Sequence, residues 1–528
     1  MPYFKLTVNG ERGIIAYMTT LDFNESLPAE QIVNASSLTL NLPRSPKLFY
    51  RHGWQSWTLA TWLDPSEPPL PIRAPEFRTK DEDAPYAFAK NHVSAWVGAV
   101  EMGSNEILLL GALDLGGRVE LDGASLRGFY ESGEGHWLAA RGLEDDVFNK
   151  YANLLGEKFG KTRYEKAPRV WCSWYSLYKW ISEPVVLKIL KELGDLPFDV
   201  IQLDDGWQIA HGDWEANKKF PSGMKEIADK IQTTGRTPGI WLAPLMVAPS
   251  SQLARDHPDW LLRDENGKPV TAGITWGGNP LALDSSHPAV LDWLDKLIRK
   301  VRGWGYGYLK LDFLYTGALA GKRHKDIPRE AAYRNALKVI REAAGDAYIL
   351  TCGAPIIPSL GLCDGMRVGP DVTPYWLNKP HSVWLNNPNN PSTQNAIRTS
   401  LHRLWLNPIV NTDPDVAYFR SRHNAMTNEQ KRLLQDLGMI SRFKATSDLP
   451  QWLTKQEQDS LRQFLESDSQ VKKTGRYQYQ IDDRLVDFSS VMPVPGTRNV
   501  PVSFARNAGI VQMAIHEVLP AILESRKK

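Results

Sequence analysis

Lys310 and Asp312 stand two residues apart near the end of the apolar run Tyr306-Gly-Tyr-Leu-Lys-Leu-Asp-Phe-Leu-Tyr315. On a strand, residues at this spacing face the same side. A cation and a carboxylate at the end of a buried parallel strand are either a structural ion pair or part of a reactive site. Other segments end in the same manner: Trp171-Cys-Ser-Trp-Tyr175, Asp204-Asp-Gly-Trp207, Trp241-Leu-Ala-Pro244, Cys352-Gly353, Arg367-Val-Gly-Pro-Asp371 and Asn411-Thr-Asp-Pro-Asp415. Carboxylates and indoles dominate this set. Carboxyl pairs between aromatic walls suit glycoside chemistry, in which two carboxyl groups flank an oxocarbenium-like transition state.

Other chemistries lack their parts. The 11 His include no His-x-His pair and none within these segments, which argues against a His-ligated metal centre. There is no Gly-x-Ser-x-Gly elbow and no phosphate-binding Gly-x4-Gly-Lys-Ser/Thr loop. No His base accompanies Cys172 or Cys352, so both read as small wall residues. An Asp-rich Mg or Ca site is the remaining rival, and Lys310 and Arg367 already offer compensating charge. No metal or cofactor is expected. Lys310 predicts a depressed pKa for Asp312, suited to a nucleophile. Asp371, after Pro370, suits an acid, provided that Arg367 turns to substrate hydroxyls rather than to Asp371. Asp204 and Asp205 point apart and offer acceptors to two hydroxyls, unless they serve a turn or a helix cap.

The elements that would position these residues follow from periodicity. Residues 1–165 carry short alternating runs such as Ser37-Leu-Thr-Leu-Asn-Leu42, divided by Gly, Pro and Asn/Asp turns, and predict an all-β sandwich. Within it, Tyr50-Arg-His-Gly-Trp-Gln-Ser-Trp57 reads as an aromatic loop. Residues 166–447 alternate strand and helix, with strands expected at 169–175, 199–204, 239–243, 308–313, 348–352, 366–369, 407–412 and 439–443. Eight such units predict a (β/α)8 barrel, with the strand ends above converging at its carboxyl face. The short run Leu281-Ala-Leu-Asp284 is assigned to the third loop. Residues 448–528 predict a helix and then β-like runs at 476–480, 484–488, 500–504 and 509–516, a small antiparallel domain.

At 528 residues the chain exceeds what one core supports. With 62 Lys+Arg against 60 Asp+Glu it carries no field for nucleic acid or membrane. Three cysteines without paired spacing, no run of about 18 apolar residues and no leader in Met1–Gly10 predict a cytoplasmic protein. The 19 Trp and 18 Tyr suit a sugar ligand, although core filling is the usual role of any one of them.

Taken together and in this order, these segments resemble the α-galactosidases of glycoside hydrolase family 36, in particular the shorter prokaryotic members. The motifs that carry the resemblance are Trp54-Gln-Ser-Trp57, Trp171-Cys-Ser-Trp-Tyr175, Asp204-Asp205, Gly239-Ile-Trp-Leu-Ala-Pro244, Tyr308-Leu-Lys-Leu-Asp-Phe313, Cys352-Gly353 and Met366-Arg-Val-Gly-Pro-Asp371. The resemblance implies a retaining exo-acting hydrolase of terminal α-linked galactose, with substrates of the melibiose or raffinose type and no cofactor. It implies Asp312 as nucleophile and Asp371 as acid/base. It further implies Asp204 and Asp205 on the 4- and 6-hydroxyls, Lys310 and Arg367 on ring hydroxyls, Trp57 closing the pocket from the amino-terminal domain, and Trp174, Trp241 and Cys352 as binding residues. Leu311 and Gly369-Pro-Asp-Val-Thr373 depart from the larger members and leave linkage preference open. So do three rivals: an α-N-acetylgalactosaminidase, a galactosyl transferase and a non-catalytic galactoside-binding protein. Homo-oligomerisation is also left open.

Overall fold

A computed structural model describes residues 18–22, 30–103, 106–275, 278–494 and 500–526; Met1–Gly10 lies outside the described residues. The chain packs as two compact units. One comprises residues up to Arg51 with Leu63–Pro68 and Asn91–Tyr151; the other comprises His52–Trp62, Pro69–Lys90 and the chain from Ala152 onward. Three segments of the expected amino-terminal stretch, 52–62, 69–90 and 152–165, therefore pack with the second unit.

The first unit is built from two sheets. One runs in the order Met18–Asp22, Ser37–Asn41, Ser125–Tyr130, Gly117–Asp122, His92–Ala95; the other includes Glu30–Ala35, Gly135–Leu143, Glu106–Ala112, Val97–Gly103 and Phe49–Arg51 in that order. Period-two patterning sets the faces: Leu126, Gly128 and Tyr130 are buried while Arg127 is exposed. The Trp137 indole lies against Gly128, where a Cβ would stand 2.7 Å from the ring.

The second unit is organised by eight parallel strands: β1 Val170–Cys172, β2 Val200–Leu203, β3 Thr237–Leu242, β4 Tyr308–Leu311, β5 Tyr348–Thr351, β6 Gly365–Arg367, β7 Asn411–Asp413 and β8 Ala445–Thr446. They follow sequence order from β1 to β7, with β8 beside β1. In the segment after β7, Ala417 N–H donates to Ala445 O of β8 at 2.8 Å. Crossover helices cover the sheet: α1 Glu183–Glu192, α2 Gly223–Gln232, α3 Pro288–Gly303, α4 Arg329–Ala344, α5 Thr393–Leu401 and α6 Asn428–Ser441. Helix α3 shows why they form. Pro288 opens it, and Val290, Leu294, Leu297, Ile298 and Val301 make one buried stripe opposite a charged face. Helix α6 begins in a capping box between Thr427 and Gln430. Leu281–Ala282 pairs with Met246–Val247, outside the parallel sheet, as its assignment to the third loop requires.

Three expectations are corrected. Residues 439–443 are not the eighth strand: α6 runs through Ser441, Arg442 caps it in a left-handed conformation, and the strand follows at Ala445. The seventh strand starts at Asn411 rather than 407, after a short turn of helix over Leu404–Leu406. At the carboxyl end, α7 Lys455–Glu466 leads to a three-stranded antiparallel sheet, Val471–Gly475, Gln478–Ile481 and Arg484–Asp487. The runs expected as β at 500–504 and 509–516 are helical instead. They form α8 Val502–Met513, which continues through a π turn into Leu519–Ser525. Their β-branched and aromatic residues read as strand, but the buried positions Ala505, Gly509 and Glu517 recur at multiples of four. Gly509 allows contact with the His381 ring, which a Cβ would approach to 2.1 Å.

Candidate active site

The carboxyl ends of the strands open into a cavity of about 440 Å3 within the second unit, whose lining includes Trp57, Trp174, Asp204, Asp205, Trp241, Lys310, Asp312 and Asp371. Cys352 and Arg367, both buried, are not part of the lining. The structure thus brings eight of the ten predicted residues to one cavity.

Lys310 does not pair with Asp312 as the strand spacing suggested. Its Nζ donates to Asp204 Oδ2 at 2.8 Å, and Gln202 Nε2 donates to the same oxygen at 2.6 Å. Asp312 is held by neutral donors: Trp241 Nε1 reaches its Oδ2 at 2.9 Å and the Phe313 N–H its Oδ1 at 2.8 Å. The expected depression of its pKa is also corrected. Burial raises it, and the opposing pull of Lys310 does not prevail, with Asp371 adding to the rise. At Asp205, burial acts upward, but His211 and Gln208, whose Nε2 donates at 2.6 Å, hold the carboxyl below its ordinary value.

On the far side of the cavity, one guanidinium serves three carboxylates. Arg367 donates from Nε to Asp413 Oδ2 at 2.9 Å and from Nη1 to Asp371 Oδ1 at 3.1 Å, while its Nη2 lies 2.9 Å from Asp415 Oδ1. The contact with Asp371 that would complicate an acid role is therefore present. Its charge is nevertheless divided, and Asp371 is the exposed partner, 33 % against 2 % for Asp413 and 0 % for Asp415. Burial pushes Asp415 up to about 7 against the pull of Arg367. Asp415 also accepts from the Tyr175 hydroxyl and, at 3.0 Å, from the Val372 N–H, which ties down the Asp371 turn.

Trp57 reaches the cavity because its loop is fixed from below. Arg403 donates to the carbonyls of Gly53, Gln55, Ser56 and Thr58 and to Val368 O. The indole then meets Phe313 edge-on, with centroids 5.0 Å apart. Sequence reasoning missed Arg403, whose neighbours are distant in the chain. It also missed the two elements that supply further lining: the helix Pro75–Asp81, with Glu76, Phe77, Lys80 and Asp81, and α8 with its continuation, with Arg506, Ile510, Met513 and Glu517. Burial raises Glu517 to about 7, and the hydroxyls of Tyr375 and Tyr178 donate to it at 2.7 and 2.9 Å.

A curled parallel sheet whose strand ends gather carboxylates and indoles in one cavity is the arrangement that glycoside hydrolases use. The comparisons with known proteins agree. Residues 137–343 match the Melibiase family model. An α-galactosidase from Thermus thermophilus, solved in complex with p-nitrophenyl α-D-galactopyranoside, is 44 % identical with a TM-score of 0.84, over 89 % of this chain and 96 % of that one. α-Galactosidase AgaA of Geobacillus stearothermophilus is 30 % identical over 215 residues, 38 % of this chain and 28 % of that protein. α-Galactosidase 2 of Pediococcus pentosaceus is 26 % identical over 58 % of this chain and 42 % of its own length. This chain thus matches less than half the length of these two curated relatives. It belongs to the α-galactosidases of glycoside hydrolase family 36.

Proposed function

We propose that the protein hydrolyses terminal non-reducing α-D-galactosyl residues of galactosides and galacto-oligosaccharides with retention of configuration. The observation that carries this reading is the single cavity in which Asp312 and Asp371 meet Asp204, Asp205 and Lys310 between indole walls. Asp312 attacks the anomeric carbon as the bond to the leaving oxygen breaks, and Asp371 gives its proton to that oxygen. Water then attacks the same carbon while Asp371 takes its proton; the bond to Asp312 breaks and galactose leaves in the α configuration. The Trp241 and Phe313 donors keep a buried Asp312 in its ionised, nucleophilic form. Arg367 holds Asp371 in place while its charge is shared with Asp413 and Asp415.

Asp204 and Asp205 act on the axial 4-hydroxyl and the 6-hydroxyl. An acceptor built for the axial hydroxyl rejects the gluco epimer, which leaves it unpaired. In this reading the eight strands close as a (β/α)8 barrel, which their sequential order and the Ala417–Ala445 hydrogen bond support. Three buried free cysteines support a reducing, cytoplasmic setting. The test is release of 4-nitrophenol from the α-galactoside, the α-glucoside and the α-N-acetylgalactosaminide by the wild type and Asp312→Ala. Fast cleavage of the galactoside alone, lost in the variant, is expected; binding of galactose without turnover of any of the three would sink the proposal.

A further inference from the structure

Asp81 ends the helix Pro75–Asp81 and lines the same cavity. Its side chain is 1 % exposed, yet only half of its carboxylate is satisfied. Asn387 Nδ2 donates to Oδ2 at 2.6 Å, whereas Oδ1 has no hydrogen-bond partner among the described residues. Lys80 Nζ, at 3.9 Å from Oδ1, is too far to donate. An unpaired buried carboxylate oxygen is costly, and here burial raises the pKa of the group. A carboxylate at the last turn of a helix also faces the negative end of the peptide dipoles. The Lys80 charge and the Asn387 hydrogen bond offset part of this cost, but Oδ1 still lacks a donor, which a bound ligand could supply.

The position of Asp81 points to which part of the ligand. Asp81 shares the cavity lining with Asp371, the group that flanks the departing oxygen in the mechanism proposed above. Glu76, Phe77 and Lys80 on its own helix, with Thr275 and Arg506, continue the cavity wall. We propose that Asp81 is a specificity residue for the leaving group: its Oδ1 accepts a hydroxyl hydrogen from the sugar released, and so favours galactosides of sugars over those whose aglycone carries no hydroxyl. The inference rests on the hydrolase reading.

The experiment compares kcat/KM for melibiose with kcat/KM for 4-nitrophenyl α-galactoside. Asp81→Asn keeps the size of the side chain and an oxygen for Asn387 but loses the charged acceptor. The melibiose-to-aryl ratio is expected to fall about tenfold to hundredfold, with a Tm equal to or above that of the wild type, because an unsatisfied charge has been removed. A ratio within twofold of the wild type overturns the assignment while leaving the hydrolase reading intact. A wild type that fails on the aryl galactoside overturns both. The same question put to the wild-type enzyme uses melibiose analogues lacking one glucose hydroxyl each: at least one is expected to lose about tenfold or more in kcat/KM, and none doing so overturns the proposal.

Discussion

The floor of the cavity and its mouth are built on different physical terms. On the floor, at the ends of β1 to β7, the buried charges have protein partners: Lys310 has Asp204, Arg367 has Asp371, Asp413 and Asp415, and Asp312 has Trp241 and the Phe313 N–H. At the mouth, Asp81 keeps an oxygen with no hydrogen-bond partner among the described residues, and the buried Glu517 accepts from two tyrosine hydroxyls. The difference separates two tasks. Reacting groups must be held in place before the substrate arrives, whereas selection among leaving groups can be left to a site that stays unsatisfied until the right one binds.

The contrast can be broken at either end. The largest effect belongs to the floor: Asp312→Ala is expected to lower kcat for 4-nitrophenyl α-galactoside by about 10^4-fold or more, and added azide should restore turnover as β-galactosyl azide; retention of a tenth of the activity would remove Asp312 from the chemistry. Asp371→Ala should cost about 10^2 to 10^4-fold in kcat/KM on melibiose and much less on the aryl galactoside, whose leaving group needs little protonation. An equal loss on both would make Asp371 a binding residue. Arg367→Met strands three carboxylates, two of them fully buried, and should destabilise by about 3–5 kcal/mol in denaturant unfolding. A loss below about 1 kcal/mol would mean that the cluster relaxes and is not the rigid support that the floor requires.

The smallest effect is at the mouth and depends on pH. The folded pKa of Glu517, about 7, lies above its ordinary value of 4.5. A raised carboxyl favours the folded state fully below its unfolded pKa, and that contribution fades as pH rises through the folded value. Glu517→Gln should therefore gain a few degrees in Tm over the wild type as pH rises from 5 to 8, and a gap that stays constant over this range would show that Glu517 does not titrate there. For the same reason the acid limb of kcat/KM, set by ionisation of Asp312, should lie above the ordinary Asp value of 3.8.

Much of the floor was legible because it is local. Apolar runs of four or five residues ending in charge announce strands that are covered on both faces, and the interval between helices gives their order. The positions of Trp174, Asp204, Asp205, Trp241, Lys310, Asp312 and Asp371 at strand ends follow from that reading, and the family resemblance supplied their expected roles. The mouth was not legible. Pro75–Asp81 lies in a stretch that patterned as β sandwich, and α8 is rich in residues that favour strands, so composition pointed away from both. Arg403, which holds the Trp57 loop, sits in a turn after α5 and carries no motif.

The sequence by itself determined which residues stand at the strand ends and what chemistry their types permit, since the strand period and hydrophobic burial act over a few residues. Only the tertiary structure decided who pairs with whom. In a curled parallel sheet, inward side chains from alternate strands share a level, so Lys310 on β4 meets Asp204 after β2 rather than Asp312 on its own strand. Burial, which no spacing records, then turned the pKa of Asp312 upward and left one oxygen of Asp81 without a hydrogen-bond donor among the described residues.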